Sequence, residues 1–364
     1  MIDVDIQLTL GAFVLDAQFR SSAPVSALFG RSGAGKSTIV KAVGGLLTPE
    51  SGRIALGDTM IFDKAAGINL PARARRIGHV FQDARLFPHM TVAANLAYGG
   101  RYAAEKPSAK TWKEVVKLLD IGPLQGRHPA GLSGGEIQRV AIGRALLMSP
   151  LALIMDEPLA SLDGRRKAEI LPYLDRLTAE AHVPILYVSH ALDEVMRLAS
   201  TLVLVEDGKV LASGPVEEVM ARADLADATG GEDAGAVLAA TIAGHNEAYM
   251  LTEIDVAGQK VTVPRVAAEP GHAMRLLIRA GDVVLATSRP EGLSARNVLS
   301  GHIEAIAVGA GAYADVAVDI GGGARLRSRI TRQAMDELDL KTGDAVFALI
   351  KSVAIGRRVP WSDL

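Results

Sequence analysis

One stretch of eight residues restricts this chain more than any other: Gly30-Arg31-Ser32-Gly33-Ala34-Gly35-Lys36-Ser37, a full match to G-x-x-x-x-G-K-[ST]. Ahead of it Val25–Phe29 is a short apolar run, and behind it Lys36–Leu46 carries a helical pattern. Strand, glycine turn and helix in that order is the setting such a loop needs. Its glycines let backbone N–H groups point at phosphate oxygens, and the helix N-terminus adds partial positive charge. On this reading Gly30, Arg31, Ser32, Gly33, Ala34, Gly35, Lys36, Ser37 and Thr38 cradle the phosphates of a nucleotide. Lys36 reaches the β- and γ-phosphates, and the Ser37 hydroxyl ligates Mg2+. Against it stands a chance glycine-rich turn, so the partners decide.

Those partners are present. Leu151–Met155 is apolar at every position, as in a central strand buried on both faces, and it runs straight into Asp156 and Glu157. In open α/β sheets ligands sit beyond the carboxyl ends of the strands. There Asp156 would hold Mg2+, and Glu157 would orient and polarise the attacking water. Ile185–Ser189 and Thr201–Val205 read as further strands, and His190, at the end of the former, would donate to the γ-phosphate. Taken alone, the Asp-Glu pair is a solvated turn and the histidine a structural one. The short β-rich runs alternate with helical patterns, which predicts an α/β domain with a largely parallel sheet. Residues Pro88–Leu146 read as a mostly helical insertion, with Trp112, Val115, Val116 and Leu119 on one face of an amphipathic helix over Lys110–Asp120.

Composition closes off other classes. With 364 residues the chain predicts two or three domains. A net charge of −2 argues against a bulk nucleic-acid or anionic-lipid binder. The absence of cysteine excludes disulfides, thiolate metal sites and cysteine nucleophiles, and fits a reducing compartment. The start, MIDVDIQLTL, lacks the features of a secretory signal. The longest stretch without Asp, Glu, Lys or Arg, Leu86–Gly100, falls short of the ~20 apolar residues of a membrane span.

After Ala221–Ala236, rich in Ala, Gly and Asp, the pattern changes to strands and glycine turns. Arg325–Thr331 and Ala345–Ile355 read as strands, Thr331–Leu338 as a short crossing helix, and Leu251–Val263 as a hairpin without an internal repeat. The expected division is residues 1–233, an α/β domain with its helical insertion at about 88–146, and residues 234–364, a β domain. An oligonucleotide/oligosaccharide-binding (OB) type of barrel fits the latter.

Leu132-Ser133-Gly134-Gly135-Glu136 resembles the signature sequence of ATP-binding-cassette (ABC) ATPases. Read plainly, Ser133 and Glu136 form a capping box opening a helix over Ile137–Leu147. Other family elements follow suit: Gln82 matches the Q-loop, Ser161-Leu162-Asp163 the D-loop and His190 the switch histidine. The resemblance implies ATP hydrolysis with Glu157, His190, Lys36 and Gln82 at the reaction centre and Mg2+ held by Ser37, Gln82 and Asp156. It also implies a homodimer, in which Ser133, Gly134 and Gly135 face the nucleotide of the opposite protomer, and it adds Asp163 of the D-loop to the nucleotide-binding residues. Phe13 either stacks on adenine or belongs to the core.

Ser294–Leu299, Arg329–Thr331 and Ile350–Ile355 resemble the Mop or TOBE barrel, with its core at about 292–358. Together with Phe81–Val92 and Leu186–Val195, they make the chain similar to the ATP-binding subunits of bacterial molybdate importers. That family implies two integral membrane permease subunits docking on the helical insertion, an extracytoplasmic molybdate-binding protein, and a peripheral place on the cytoplasmic face of the inner membrane. It further implies molybdate as a regulatory ligand held by Ser294, Arg296, Asn297, Lys351 and Ser352. The alternative for these residues is solvation of the cations and turn-capping by Ser294 and Asn297. Arg327-Ser328 departs from the family pattern, either adding a cation to the anion site or facing water. Tungstate, sulfate and thiosulfate importers remain alternatives for the whole chain. A non-transport ATPase acting on nucleic acid is opposed by the charge balance and by sparse barrel aromatics.

Overall fold

The computed structural model describes the chain apart from residues 102, 104–105, 161, 181–182, 226–227, 229–234, 310, 352–357 and 361–364. It divides into two units, residues 1–213 and 214–364. The division lies ahead of the expected 233, because Val216–Ala221, counted with the α/β domain, is a helix packed within the second unit.

In the first unit eleven strands form one sheet. They are β1 (Ile2–Leu10), β2 (Phe13–Ser21), β3 (Val25–Phe29), β4 (Ser51–Leu56), β5 (Thr59–Asp63), β6 (Ile68–Asn69), β7 (Ile77–Val80), β8 (Ala152–Asp156), β9 (Ile185–Val188), β10 (Thr201–Glu206) and β11 (Lys209–Pro215). Their order is β6-β5-β4-β1-β2-β11-β10-β3-β9-β8-β7. β1 and β2 alternate buried with more exposed residues, as antiparallel strands with one packed face do. β3 and β9 are buried throughout, and β8 is buried up to Met155, as parallel strands covered on both faces must be. Aliphatic residues such as Val4, Leu15, Ile39, Ile154, Leu186 and Val203 share one core.

The helices of this unit are α1 (Lys36–Val43), α2 (Val92–Arg101), α3 (Ala109–Leu118), α4 (Gly134–Leu146), α5 (Gly164–Glu180) and α6 (Leu192–Leu198). The insertion is helical as expected, and Val115 and Leu119 are its buried stripe in and after α3. No helix among the described residues is long and apolar enough to cross a membrane. α1 stops at Val43 rather than Leu46, since Gly44 and Gly45 follow and Gly45 turns left-handed at φ +74°. The buried Arg75 takes the exposed carbonyls at that end. It donates to Ala42 O at 2.6 Å, Val43 O at 2.8 Å, Leu70 O at 2.7 Å and Asn69 Oδ1 at 2.9 Å.

The second unit opens with α7 (Val216–Ala221) and continues through β12 (Gly235–Asn246), β13 (Leu251–Val256), β14 (Gln259–Pro264), β15 (Ala273–Arg279) and β16 (Val283–Ala286). Then come β17 (Asn297–Val308), β18 (Tyr313–Asp319), β19 (Arg325–Thr331), α8 (Arg332–Glu337), β20 (Ala345–Ile350) and β21 (Arg358–Pro360). Two five-stranded sheets result, ordered β14-β13-β12-β15-β21 and β19-β18-β17-β20-β16. Each centres on a twelve-residue strand with a register shift past its middle, at Ile242/Gly244 and at Ile303/Ala305. The same motif therefore occurs twice, contrary to the expectation of no repeat, and the hairpin at 251–263 belongs to its first copy. The β16 and β19 edges of the second sheet meet where Ser328 Oγ donates to Val283 O at 2.7 Å, giving the OB-like curl. Arg327 and Ser328 neither reach an anion site nor face water: both are fully buried, with Arg327 Nη2 on Asp315 Oδ1 at 3.1 Å.

Replacing Arg75 by Met keeps the stem but removes the charged donor from the Ala42, Val43 and Leu70 carbonyls, of which Ala42 O retains Gly45 N. Arg75→Met is expected to lower the unfolding free energy by about 3 kcal/mol, measured by urea titration.

Candidate functional site

The parallel registers bring four strand ends to one edge. Leu28 pairs with Val188, Asp156 with Val188 and Val80 with Met155. The loop after β3, the Asp156-Glu157 pair, the Ser189-His190 turn and the Phe81-Gln82 segment thus emerge side by side.

The loop after β3 has the glycine geometry that a phosphate cradle requires. Gly30 sits at φ +152°, where a Cβ would lie 2.0 Å from Val205 O. Gly33 and Gly35 are left-handed at +85° and +111°. Ala34 is buried, while Arg31, Ser32 and Ser37 are exposed and Thr38 half-buried at the start of α1. Lys36 is buried, and its Nζ donates to Gly30 O at 2.6 Å and Arg31 O at 2.8 Å. Burial lowers its pKa from the usual lysine value, while the carboxylates of Glu157 and Asp156 act the other way. Phe13 packs on the core with its ring against Gly35, where a Cβ would lie 3.0 Å from Cζ. The half-buried ring thus borders both the core and the loop.

Glu157 holds a left-handed backbone at φ +47°, a strained conformation for a non-glycine residue. Its N–H donates to Val188 O at 3.0 Å, which extends the ladder one residue past β8. His190 Nδ1 lies 3.3 Å from Glu157 Oε1. Burial and the adjacent Glu157 charge raise the Asp156 carboxyl above its ordinary range. Asp156 and the Ser37 hydroxyl are hard oxygen donors suited to Mg2+. Gln82 is exposed in the turn after β7.

At the start of α4 the capping box is present: Ser133 N donates to Glu136 Oε2 at 2.7 Å and Glu136 N to Ser133 Oγ at 3.3 Å. The Ser133 N–H holds the Glu136 carboxyl below the usual range. Gly134 and Gly135 let α4 approach α5 and the turn before it, since a Cβ on Gly135 would lie 3.3 Å from Ile170 Cγ1 and one on Gly134 2.8 Å from Leu162 Cδ2. Asp163 opens α5, its Oδ1 accepting from Arg166 N at 2.9 Å. Ser161 lies outside the described residues.

Sequence reasoning missed the groups behind these loops. Arg144 of α4 donates to Arg85 O at 2.8 Å and Ala84 O at 3.0 Å, clamping the segment that follows Gln82. Lys167 of α5 and the buried Glu194 of α6 form an ion pair of 2.8 Å. Beneath Gln82, His79 stacks on Phe81 at 3.9 Å. Burial, then the Arg85 charge, lowers its pKa from 6.5 to about 4.

In the second unit the expected anion ligands separate. Asn297 is buried, and its amide binds the Thr262 backbone, accepting from N at 2.7 Å and donating to O at 3.0 Å. It joins the two sheets instead of facing an anion or capping a turn. Ser294, Arg296 and Lys351 are exposed. The β17–β20 register, Asn297 against Ile350, places Arg296 and Lys351 at the same end of that pair. Ser352 lies outside the described residues.

Residues 20–160 match the family model described as ABC transporter, and residues 293–355 the TOBE domain. The chain is 50% identical to the molybdenum import ATP-binding protein ModC of Mesorhizobium japonicum, over 98% of this chain and 96% of that protein. It is 47% identical to the same-named protein of Rhizobium etli, over 97% and 98%. Among solved structures it resembles cbiO1 from Clostridium perfringens, part of the ABC transporter complex cbiONQ. That match has a TM-score of 0.51 and 27% identity, over 62% of this chain and 92% of that one.

His79 gives the pH dependence of this region a sign. A folded-state pKa of about 4 against 6.5 means that the folded protein resists protonation there, so its contribution is complete above 6.5 and is lost as pH falls toward 4. His79→Phe keeps the stacking and removes the titration. Between pH 7 and pH 5 it is expected to lose about 2 kcal/mol less stability than the parent, by urea titration at the two pH values.

Proposed function

This chain belongs to the family of ABC-type molybdenum import ATP-binding proteins, and from that premise we propose that it is the ATP-hydrolysing motor of a molybdate importer. The observation that carries the reading is the pairing of Glu157 with His190, 3.3 Å apart, at the strand ends beside the loop that buries Lys36. Two protomers enclose two ATP molecules, each offering Lys36, Ser37, Asp156, Glu157 and His190 to its own nucleotide and Ser133–Gly135 with Asp163 to the other's. Phosphate oxygens take over the Lys36 ammonium from Gly30 O and Arg31 O. Glu157 accepts a hydrogen bond from the attacking water and orients it, and His190 donates to the γ-phosphate. Ser37, Asp156 and Gln82 would hold Mg2+, which would supply charge neutralisation for the transferred phosphate. Positioning and charge stabilisation supply most of the rate in such sites.

The helical insertion transmits closure of the dimer to two membrane permease subunits, fed by an extracytoplasmic molybdate-binding protein. The motor thus works as a peripheral protein on the cytoplasmic face of the inner membrane. Molybdate is a tetrahedral dianion and needs N–H, hydroxyl and cationic donors. Arg296 and Lys351, which the sheet register gathers at one end, with Ser294 and Ser352, supply such donors for feedback control. Asn297 holds the scaffold beneath them through Thr262.

Glu157→Gln should cut steady-state phosphate release at least about 100-fold while a fluorescent ATP analogue still binds. Lys36→Ala should weaken that binding itself. Near-normal hydrolysis by Glu157→Gln would remove Glu157 from its role. Calorimetric titration of the full-length chain with molybdate should show binding that Arg296→Ala and Lys351→Ala each weaken about tenfold. Parallel titrations with tungstate and sulfate test selectivity, and absence of a molybdate signal would remove the regulatory site.

A further inference from the structure

The segments that carry Glu157 and His190 are joined by Glu157 N on Val188 O, by Arg197 of α6 on Asp175 of α5, and by two contacts nearer His190. In front is the His190–Glu157 contact at 3.3 Å. Behind it, Lys167 in the first turn of α5 meets Glu194 in α6, Nζ to Oε1 at 2.8 Å. The other carboxylate oxygen of Glu194 accepts from Tyr187 OH at 2.9 Å and from Ser189 Oγ at 2.8 Å. Having donated its proton, the Ser189 oxygen accepts from Ala191 N at 3.0 Å. The residues on both sides of His190 are therefore fastened to one carboxylate. Burial, reinforced by the Glu194 charge, pushes the Tyr187 phenol up, so it stays a donor throughout the working pH range. At the other end of the chain of contacts, Lys167 N donates to Asp163 O at 2.9 Å, which ties the ion pair to the turn entering α5.

Stability alone does not account for this arrangement. Glu194 is 2% exposed, and desolvating a carboxylate costs several kcal/mol, which an apolar side chain of similar volume would avoid. What the charged pair adds is a fixed relative position for two loops, the best-attested use of buried ion pairs. We propose that Lys167 and Glu194 are positioning residues for hydrolysis, whose ion pair sets the distance between His190 and Glu157 by bracing the β9–α6 turn against α5. The inference rests on the reading of Glu157 and His190 as the hydrolytic pair. It extends that pair into a four-residue relay of Lys167, Glu194, Ser189 and His190. The D-loop helix and the switch turn then move as one body, so that displacement of Asp163 is felt at His190.

The test uses the full-length chain at saturating ATP, with Glu157→Gln as the control. Lys167→Met removes the brace without adding a buried charge, and Ser189→Ala cuts the link to the His190 turn with little risk to folding. A misplacement of about 1 Å at a reaction centre costs about 100-fold in rate. Both variants are therefore expected to lose kcat by about 10- to 100-fold, with the Kd for ATP changed by less than about twofold. Lys167→Arg, which keeps the charge, is expected to restore most of the rate. Unchanged kcat in both variants would overturn the proposal. So would a fall that tracks the unfolded fraction seen by circular dichroism, or equal loss in Lys167→Arg and Lys167→Met. Hydrolysis surviving in Glu157→Gln would overturn the underlying reading instead, which keeps the two failures apart.

Discussion

Everything at the candidate site depends on the register of four parallel strands. β3, β9, β8 and β7 carry no catalytic side chains until their last residues, yet their pairings decide which loop residues meet. One residue of strand spans about 3.3 Å. A slip of one position would therefore separate His190 from Glu157 by as much as their present 3.3 Å contact. The ladder is continued beyond the strands by Glu157 N on Val188 O and Ser189 N on Leu28 O, at 3.0 and 3.4 Å. Side-chain packing adds to this restraint. Gly78 of β7 lies so close to its neighbours that a Cβ would stand 2.5 Å from Leu153 Cδ2. Position in this site is thus set by backbone pairing and close packing, and the side chains inherit it.

The parts legible in the sequence are those whose physics is local. The phosphate loop needs glycines at left-handed positions next to one another, and the capping box needs Ser133 and Glu136 three residues apart; both stand complete in a short window. The continuous apolar run before Asp156 likewise announces a strand buried on both faces. Asp156 ends such a strand, Glu157 follows it directly, and His190 stands two residues past β9, so their neighbourhood can be read from local pattern alone. Groups joined across the chain were invisible for the same reason. Lys167 reaches Glu194 from 27 residues away and Arg144 reaches Arg85 from 59, and neither pair leaves a periodic trace. The duplicated sheet leaves a faint trace because its copies share strand order and a bulge more than sequence: aligned on the bulge, β12 and β17 coincide at Val237/Val298, Leu238/Leu299 and Ile242/Ile303 and differ elsewhere.

Asn297 shows how residue type can mislead where topology cannot be read. An amide beside Arg296 suits an anion, and Arg296 itself is exposed. Yet it begins β17, where alternation turns it inward while Arg296 stays outside. Once inside, an amide must satisfy both its donor and its acceptor, and the Thr262 peptide offers the complementary pair. Gln259 makes the same kind of bridge to Ser300 O and Ile320 O, at 2.9 and 2.8 Å. The two sheets are therefore joined by amide side chains as well as by their shared aliphatic core. A polar residue at a strand start can serve the exposed loop only indirectly, by fixing where that loop begins.

The segment after Gln82 extends this logic to the helical insertion. Ala84 and Arg85 are consecutive non-glycine residues in left-handed conformation, at φ 46° and 48°. Each such residue costs about 1–3 kcal/mol and persists only where its surroundings hold it. Arg144 holds them: it donates to both carbonyls, and its guanidinium lies 5.5 Å from the Phe87 ring. The next residues are bound by the buried Asn95, which accepts from Phe87 N at 2.8 Å and donates to Phe87, Met90 and Thr91 carbonyls. Arg144 sits on α4, the helix opened by Ser133, Gly134 and Gly135. A rotation of that helix therefore cannot leave the Gln82 segment in place without breaking two charge-assisted hydrogen bonds. The strained turn, the arginine clamp and the glycine-started helix form one mechanical element, the insertion's direct line to the edge where Glu157 and His190 meet.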